Sequence, residues 1–248
     1  MQLWGSLIAP LFYGENIMQV KWKYAPQNLS EVIYPDATVQ RRIDAYAHGQ
    51  LQGHVLMHGP NGTGKSTVAN LLPKAIDGSD AIVEDKDFDA LLERADLKDY
   101  LRNACAANRF SGSTKFFLVF HELDNVKCRL DKLWTVMDDL QDELMVIVTT
   151  NNPMKVHASL RSRCKLIEFP ALTARQVLSR AQFILKAEGV TLPDAQVLHY
   201  LQAWDHVGDL RKYFDVLDEL IFLQQSGMPF PVVQQAGAPA LKVVQKSK

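Results

Sequence analysis

Cysteine is scarce in this sequence, and the three present form no pattern: Cys105, Cys128 and Cys164 are odd in number, far apart and without CxxC spacing. Their scarcity argues against a disulfide framework and offers no zinc site, which points to a reducing compartment, the cytoplasm. Charge of either sign is also not in excess. The formal net charge is −1, from 27 basic and 28 acidic residues. Such a chain does not coat nucleic acid by bulk charge, although a local basic patch in a shared channel is compatible with it. Long apolar runs are missing too. The N-terminal stretch LWGSLIAPLFY contains Gly5 and Pro10, is followed by Gly14, and has no Lys or Arg before it. It is too short to span a bilayer and lacks the charged start of a signal peptide. Residues 1–20 therefore read as a tail, with Met18 as a candidate working start, and no membrane association is expected. What is present is an ordinary balance of 47% hydrophobic and 22% charged residues over 248 positions, enough to bury a sizeable core.

Apolar runs of strand length recur at His54–His58, Ala81–Glu84, Lys115–Phe120, Leu144–Thr150 and Lys165–Phe169. Helical patterns lie between them; Leu130, Leu133, Trp134, Met137 and Leu140 are spaced by three and four. Strands apolar throughout and alternating with helices predict an α/β fold, a five-stranded parallel sheet covered on both faces. After Pro170 the strand signal stops. TARQ, Thr173–Gln176, has the form of a capping box and opens a helix with Val177, Ala181, Ile184 and Leu185. A second helix follows Pro193 and Asp194, and a third starts near Asp209. The expected organisation is a tail over 1–20, a nucleotide-binding α/β domain over 21–170, a small three-helix lid over 171–226 and a flexible tail over 227–248. That last segment has three prolines and no long periodicity.

GPNGTGKS, Gly59 to Ser66, fits G-x-x-x-x-G-K-[ST]. It follows the strand-like HVLM and precedes the apolar TVANLL, the strand–loop–helix setting such a loop requires. The residue types suit phosphate. Gly62 and Gly64 let backbone N–H groups curl around phosphate oxygens, and a helix N-terminus adds partial positive charge. Lys65 can reach the outer phosphates, and the Ser66 hydroxyl can serve Mg²⁺. Gly59, Pro60, Asn61, Gly62, Thr63, Gly64, Lys65, Ser66 and Thr67 are thus the expected ATP-binding stretch.

Four further segments fall in order around this loop: KWKYAPQNLSEVI (Lys21–Ile33), TTNN (Thr149–Asn152), SLRSRC (Ser159–Cys164) and GDLRKYFDVL (Gly208–Leu217). With the P-loop they resemble, over roughly residues 20 to 225, an AAA+ ATPase of the clamp-loader group. The likeness is to replication factor C small subunits and the bacterial polymerase III loader. The resemblance implies ATP and Mg²⁺ as ligands. It places Tyr24 and Pro26 beside the adenine, though Ala25 replaces the usual arginine. Asn151 is implied to position the attacking water, Arg163 to act as an arginine finger on a neighbouring subunit's nucleotide, and Arg211 to contact phosphates from the lid. A homo- or hetero-oligomeric ring or spiral is implied as well, with DNA reached through the assembly and a sliding clamp or other replication protein as partner. Lys127, Arg129 and Lys132 follow the acidic motif on the helix that faces DNA in such loaders. A solvated charged face explains them equally well.

Two departures stand out. In the family the third strand ends in Asp-Glu, whereas this chain has His121-Glu122. Glu122 keeps the acid–base role. His121 is a poor second anchor for Mg²⁺, which prefers hard oxygen ligands, so nucleotide binding is expected to survive while turnover is slow. Asp124 is not expected to compensate, and His121→Asp is expected to raise turnover if the metal side is limiting. The second departure is that clamp-loader subunits carry a further helical collar that the given sequence does not include. Assembly is then expected to use AAA+ surfaces and ATP alone, or a collar from another protein. Two other readings stay open: a hydrolysis-impaired, structural or regulatory nucleotide-binding subunit, and a remodeller of a protein partner whose pore-loop aromatic would be Phe88.

Overall fold

The computed structural model describes residues 19–78, 83–84, 91, 93–110, 113–123 and 131–231. Asp85–Phe88, Asp124, Lys127, Cys128 and Arg129, as well as the two tails for the most part, lie outside the described residues. The chain runs α1 (Val20–Lys23), α2 (Ala37–Ala47), β1 (His54–His58), α3 (Lys65–Asp77), β2 (Val83–Glu84), α4 (Leu97–Phe110), β3 (Phe116–Phe120), α5 (Asp131–Asp139) and β4 (Leu144–Thr150). It continues through α6 (Ala158–Arg163), β5 (Cys164–Glu168), α7 (Ala174–Ala187), α8 (Asp194–Gln202) and α9 (Leu210–Gln225).

The five strands form one parallel sheet in the order β2-β3-β4-β1-β5. Every residue of β3 (FFLVF) and β4 (LMVIVTT) is buried, the pattern of strands covered on both faces. The pleat sends alternate side chains to opposite sides. Leu56, Phe116, Leu118, Phe120, Val146 and Val148 face a core completed by Leu101 of α4, Leu133 and Met137 of α5 and Leu160 of α6. Val55, Met57, Phe117, Val119, Met145 and Ile147 face another, completed by Val39 and Ile43 of α2 and by Val68 and Leu72 of α3. Each such fully buried side chain contributes about 1.5–3 kcal/mol. The sheet expected from the apolar runs is present, with small shifts at its ends. The last strand spans Cys164–Glu168, and Phe169 instead donates its N–H to His58 O at 2.7 Å.

Helices α7, α8 and α9 pack around a third core of their own, including Val177, Ala181, Ile184, Leu201, Tyr213, Leu217 and Leu220. The capping box of α7 forms, with Thr173 N–H donating to Gln176 Oε1 at 2.6 Å. The segment from Val20 to Pro35 is attached to both groups. Val20, Tyr24 and Ile33 pack on the helical core, whereas Leu29, Val32 and Tyr34 pack on the sheet. Its hydrogen bonds follow suit: Val20 N–H donates to Asp218 Oδ1 at 2.9 Å, Arg180 Nη2 donates to Tyr24 O at 3.1 Å, and Gln176 Nε2 donates to Pro35 O.

Candidate nucleotide-binding site

In a parallel sheet the carboxyl ends of the strands lie along one edge, and ligands settle where the strand order reverses. Here that place is β1, which has β4 on one side and β5 on the other. The loop Gly59–Gly64 leaves β1 and enters α3. Gly59, Gly62 and Gly64 have φ of 140°, 68° and 88°, values that favour glycine. Two of these glycines are also required by their neighbours. A Cβ on Gly59 would stand 2.0 Å from Phe169 O, and one on Gly62 would stand 1.7 Å from Asp209 Oδ1. Gly64, by contrast, faces open space.

The first bond into α3 runs from Val68 N–H to Gly64 O at 3.0 Å. Ahead of it, the N–H groups of Ser66 and Thr67 find no acceptor among the described residues, the usual condition of a helix N-terminus open to an anion. Lys65 is buried, and its ammonium donates to Gly59 O at 2.8 Å and Pro60 O at 2.5 Å. Thr63 Oγ1 donates to Pro60 O at 3.1 Å, which braces the loop from within. Ser66 is exposed at the first turn of α3. Glycines, helix end, ammonium and hydroxyl fit a Mg²⁺-nucleoside phosphate.

The ends of β3 and β4 come up beside this loop. Glu122 has φ 53°, the only positive φ of a non-glycine among the described residues. A strained backbone of this kind persists where its surroundings enforce it; Glu122 N–H donates to Thr149 Oγ1 at 3.2 Å. The Glu122 side chain is exposed, and Asn151 stands half-buried just past β4. His121 turns to its neighbours: Nε2 lies 3.0 Å from Asn70 Oδ1 and Nδ1 lies 3.5 Å from Thr149 Oγ1. Asn70 is four residues beyond Ser66, hence on the same face of α3.

Residues 55–171 match the family described as "ATPase family associated with various cellular activities (AAA)". That match spans the α/β part of the chain from β1 to just past β5. Over 217 residues it is 26% identical to the replication factor C small subunit of Staphylothermus marinus, covering 82% of this chain and 62% of that protein. Over 207 residues it is 28% identical to the sliding-clamp-loader large subunit of Escherichia phage RB69, covering 79% of this chain and 62% of that protein. The chain thus spans less than two thirds of the length of these relatives. A solved structure of a Thermotoga maritima RuvB mutant superimposes with a TM-score of 0.58 at 18% identity, covering 82% of this chain and 68% of that chain. That likeness shows the fold alone.

Not every expected site residue gathers at the loop. Arg163 lies just before β5, and Cys164 pairs with His54 at the start of β1, whereas the P-loop leaves the far end of β1 after His58. The two are separated by the length of the strand, about 13 Å at ~3.3 Å per residue. Arg163 is not free either. Its Nε and Nη2 donate to the two carboxylate oxygens of Asp138 at 2.7 and 2.6 Å, and Nη1 donates to Ser159 O at 2.9 Å. The hydrogen bonds from this guanidinium hold the Asp138 carboxyl below the usual carboxylate range. Arg211 lies in the first turn of α9, exposed. The helix start is tied to the P-loop by Leu210 N–H donating to Gly62 O at 3.0 Å, and Asp209 Oδ1 caps it by accepting from Arg211 N–H at 2.8 Å.

Tyr24 packs on α7: its ring meets Phe183 edge-on at 6.3 Å and its hydroxyl donates to Glu188. Pro26 is half-buried in the same segment. Lys132 is exposed and donates from Nζ to Arg94 O at 3.1 Å. Nearby basic side chains are already matched with acids, Lys98 and Arg102 with Asp139 and Arg109 with Glu143. Sequence reasoning missed Asn70 and Asp138, and it read Asp209 only as a helix start. Asn70 carried a signal in its i+4 spacing from Ser66.

Proposed function

We propose that the chain binds Mg²⁺-ATP at Gly59–Thr67 and hydrolyses it as one subunit of an oligomeric, DNA-associated assembly of the clamp-loader kind. The observation that carries this reading is the juxtaposition of the P-loop with Glu122 while Arg163 stands at the opposite end of β1. A cation so far from its own cradle serves a neighbour's. Lys65 exchanges the carbonyls of Gly59 and Pro60 for phosphate oxygens, and Ser66 offers its hydroxyl to the metal. Mg²⁺ supplies charge neutralisation on the phosphates when bound. Glu122 accepts the proton of the attacking water, and Asn151 orients that water. Arg163 reaches the adjoining subunit's nucleotide, a contribution typically worth ~10³–10⁵ in rate. Arg211 engages the phosphates from α9, and Tyr24 and Pro26 border the base.

Partners of this class are other copies or relatives of the chain, DNA through the assembly, and a sliding clamp or comparable replication protein. Subunit complementation tests the proposal. Glu122→Gln and Arg163→Ala each abolish turnover alone, and mixing them restores it, because one variant lends its arginine to the other's intact site. Lys65→Ala loses nucleotide binding outright. Turnover independent of protein concentration, with no rescue on mixing, would count against the reading. His121 favours a second reading, nucleotide binding without appreciable hydrolysis. Stoichiometric binding of ATP with no phosphate released by the assembled protein would decide for it.

A further inference from the structure

His121 occupies the position where an anchoring carboxylate was expected, and its surroundings account for it in another way. The imidazole bridges two elements that meet the nucleotide loop from different sides. Through Nε2 it is 3.0 Å from Asn70 on α3, the helix that begins with Lys65 and Ser66. Through Nδ1 it is 3.5 Å from the Thr149 hydroxyl on β4, and that oxygen accepts the N–H of Glu122 at 3.2 Å. Each ring nitrogen thus faces a side chain that can complement it in either tautomer, the Thr149 hydroxyl on one side and the Asn70 amide on the other. With both nitrogens engaged by protein partners, the ring is poorly disposed toward a metal ion or its waters. Glu122 meanwhile holds the left-handed φ of 53° at the next residue.

We propose that His121 is a positioning residue that ties α3 to the end of β4 through Asn70 and Thr149 and so fixes the Glu122 backbone, and that it is not a Mg²⁺ anchor. The inference rests on the reading of Glu122 as the group that activates water. Outer residues that orient a catalytic group typically cost 10- to 100-fold when lost. It also accounts for a histidine at this point: an aspartate is shorter than an imidazole, whereas the ring reaches α3 and β4 at once.

The test is a double-mutant cycle of Asn70→Ala, His121→Ala and the pair, read in three ways. Melting without nucleotide or metal reports the tie itself. Each single variant is expected to lose about 2–4 °C, and the double variant to melt no lower than the worse single. Turnover is expected to fall by about tenfold in each single variant, again without multiplication in the double. Titration of Mg²⁺ into protein with a fluorescent ATP analogue is expected to give the same midpoint, within about twofold, for wild type and His121→Ala. Melting losses that simply add, a tenfold higher Mg²⁺ midpoint in His121→Ala, or faster turnover in His121→Asp would each overturn the proposal. Glu122→Gln is run in parallel. If it turns over ATP like the wild type, the assignment of Glu122 fails, while the coupling of Asn70 to His121 in the melting data stands or falls on its own.

Discussion

Releasing Arg163 from Asp138 is the most direct probe of the proposal that this arginine serves an adjoining subunit's nucleotide. The perturbation is Asp138→Asn, which preserves shape and removes the charge. In the structure the guanidinium makes a two-pronged pair with Asp138 at 2.6 and 2.7 Å, and the side chains are 29% and 54% exposed. Ion pairs open to water are worth roughly 0–1 kcal/mol after solvent screening, so even good geometry here holds about 1 kcal/mol. That corresponds to about fivefold in an equilibrium constant. In the proposed assembly, a phosphate from an adjoining subunit would displace Asp138 against this amount. With the carboxylate neutralised, the protein concentration giving half-maximal ATP turnover should fall by up to about fivefold, while melting drops by no more than about 4 °C. The assay is phosphate release across a dilution series, with Arg163→Ala as the floor. Turnover in Asp138→Asn that sinks to that floor would mean the acid holds the arginine in its working pose, and the idea of a latch would be wrong. The latch is also acid-sensitive in a defined direction. Because the Asp138 pKa is depressed by its partner, the pair acts fully above the ordinary carboxylate range and weakens as pH falls through the lowered value.

Two further outcomes follow from particular residues. His54 is 6% exposed, with Nδ1 accepting from Val146 N–H at 3.0 Å, and burial pushes its pKa from 6.5 down to about 4. It is neutral in the fold while the unfolded chain protonates it, so stability is expected to decline from about pH 6.5 down to about pH 4 by about 3 kcal/mol. A melting series over that range should lose much of its slope in His54→Asn, and an unaltered slope would remove His54 as the cause. Gly62→Ala places a Cβ against Asp209 Oδ1 at a position with φ 68°. The conformational cost alone is about 1–2 kcal/mol, and the clash adds the displacement of α9 from the loop, so both melting temperature and nucleotide affinity are expected to fall. Calorimetry with titrated nucleotide checks this, and an affinity equal to wild type would show that loop and helix act separately.

The sheet was legible because fully buried strands read as uninterrupted apolar runs, as β3 and β4 do. The P-loop was legible because glycine, lysine and serine at fixed spacing are dictated by local backbone geometry. The contacts that give the site its character were not, since they join residues far apart in the chain. Asp138 meets Arg163 across 25 positions, Asn70 meets His121 across 51 and Tyr24 meets Glu188 across 164. No periodicity encodes such pairs. The expectation that His121 is a poor metal anchor came from its place in a motif, whereas its neighbours are fixed by how α3 packs beside β3 and β4. β2 is two residues long, too short for its end to be read from composition.

The Val20–Pro35 segment has a mechanical corollary. One end is stitched into the helical bundle at Tyr24 and the other is embedded beneath the sheet at Leu29. The five-residue span from Tyr24 to Leu29 can stretch to about 17 Å at most. The polypeptide therefore carries its own leash. As long as both anchorages hold, the bundle stays within that radius, and larger excursions require stripping Val20, Tyr24 and Ile33 from their seats and breaking the Gln176–Pro35 and Leu210–Gly62 hydrogen bonds.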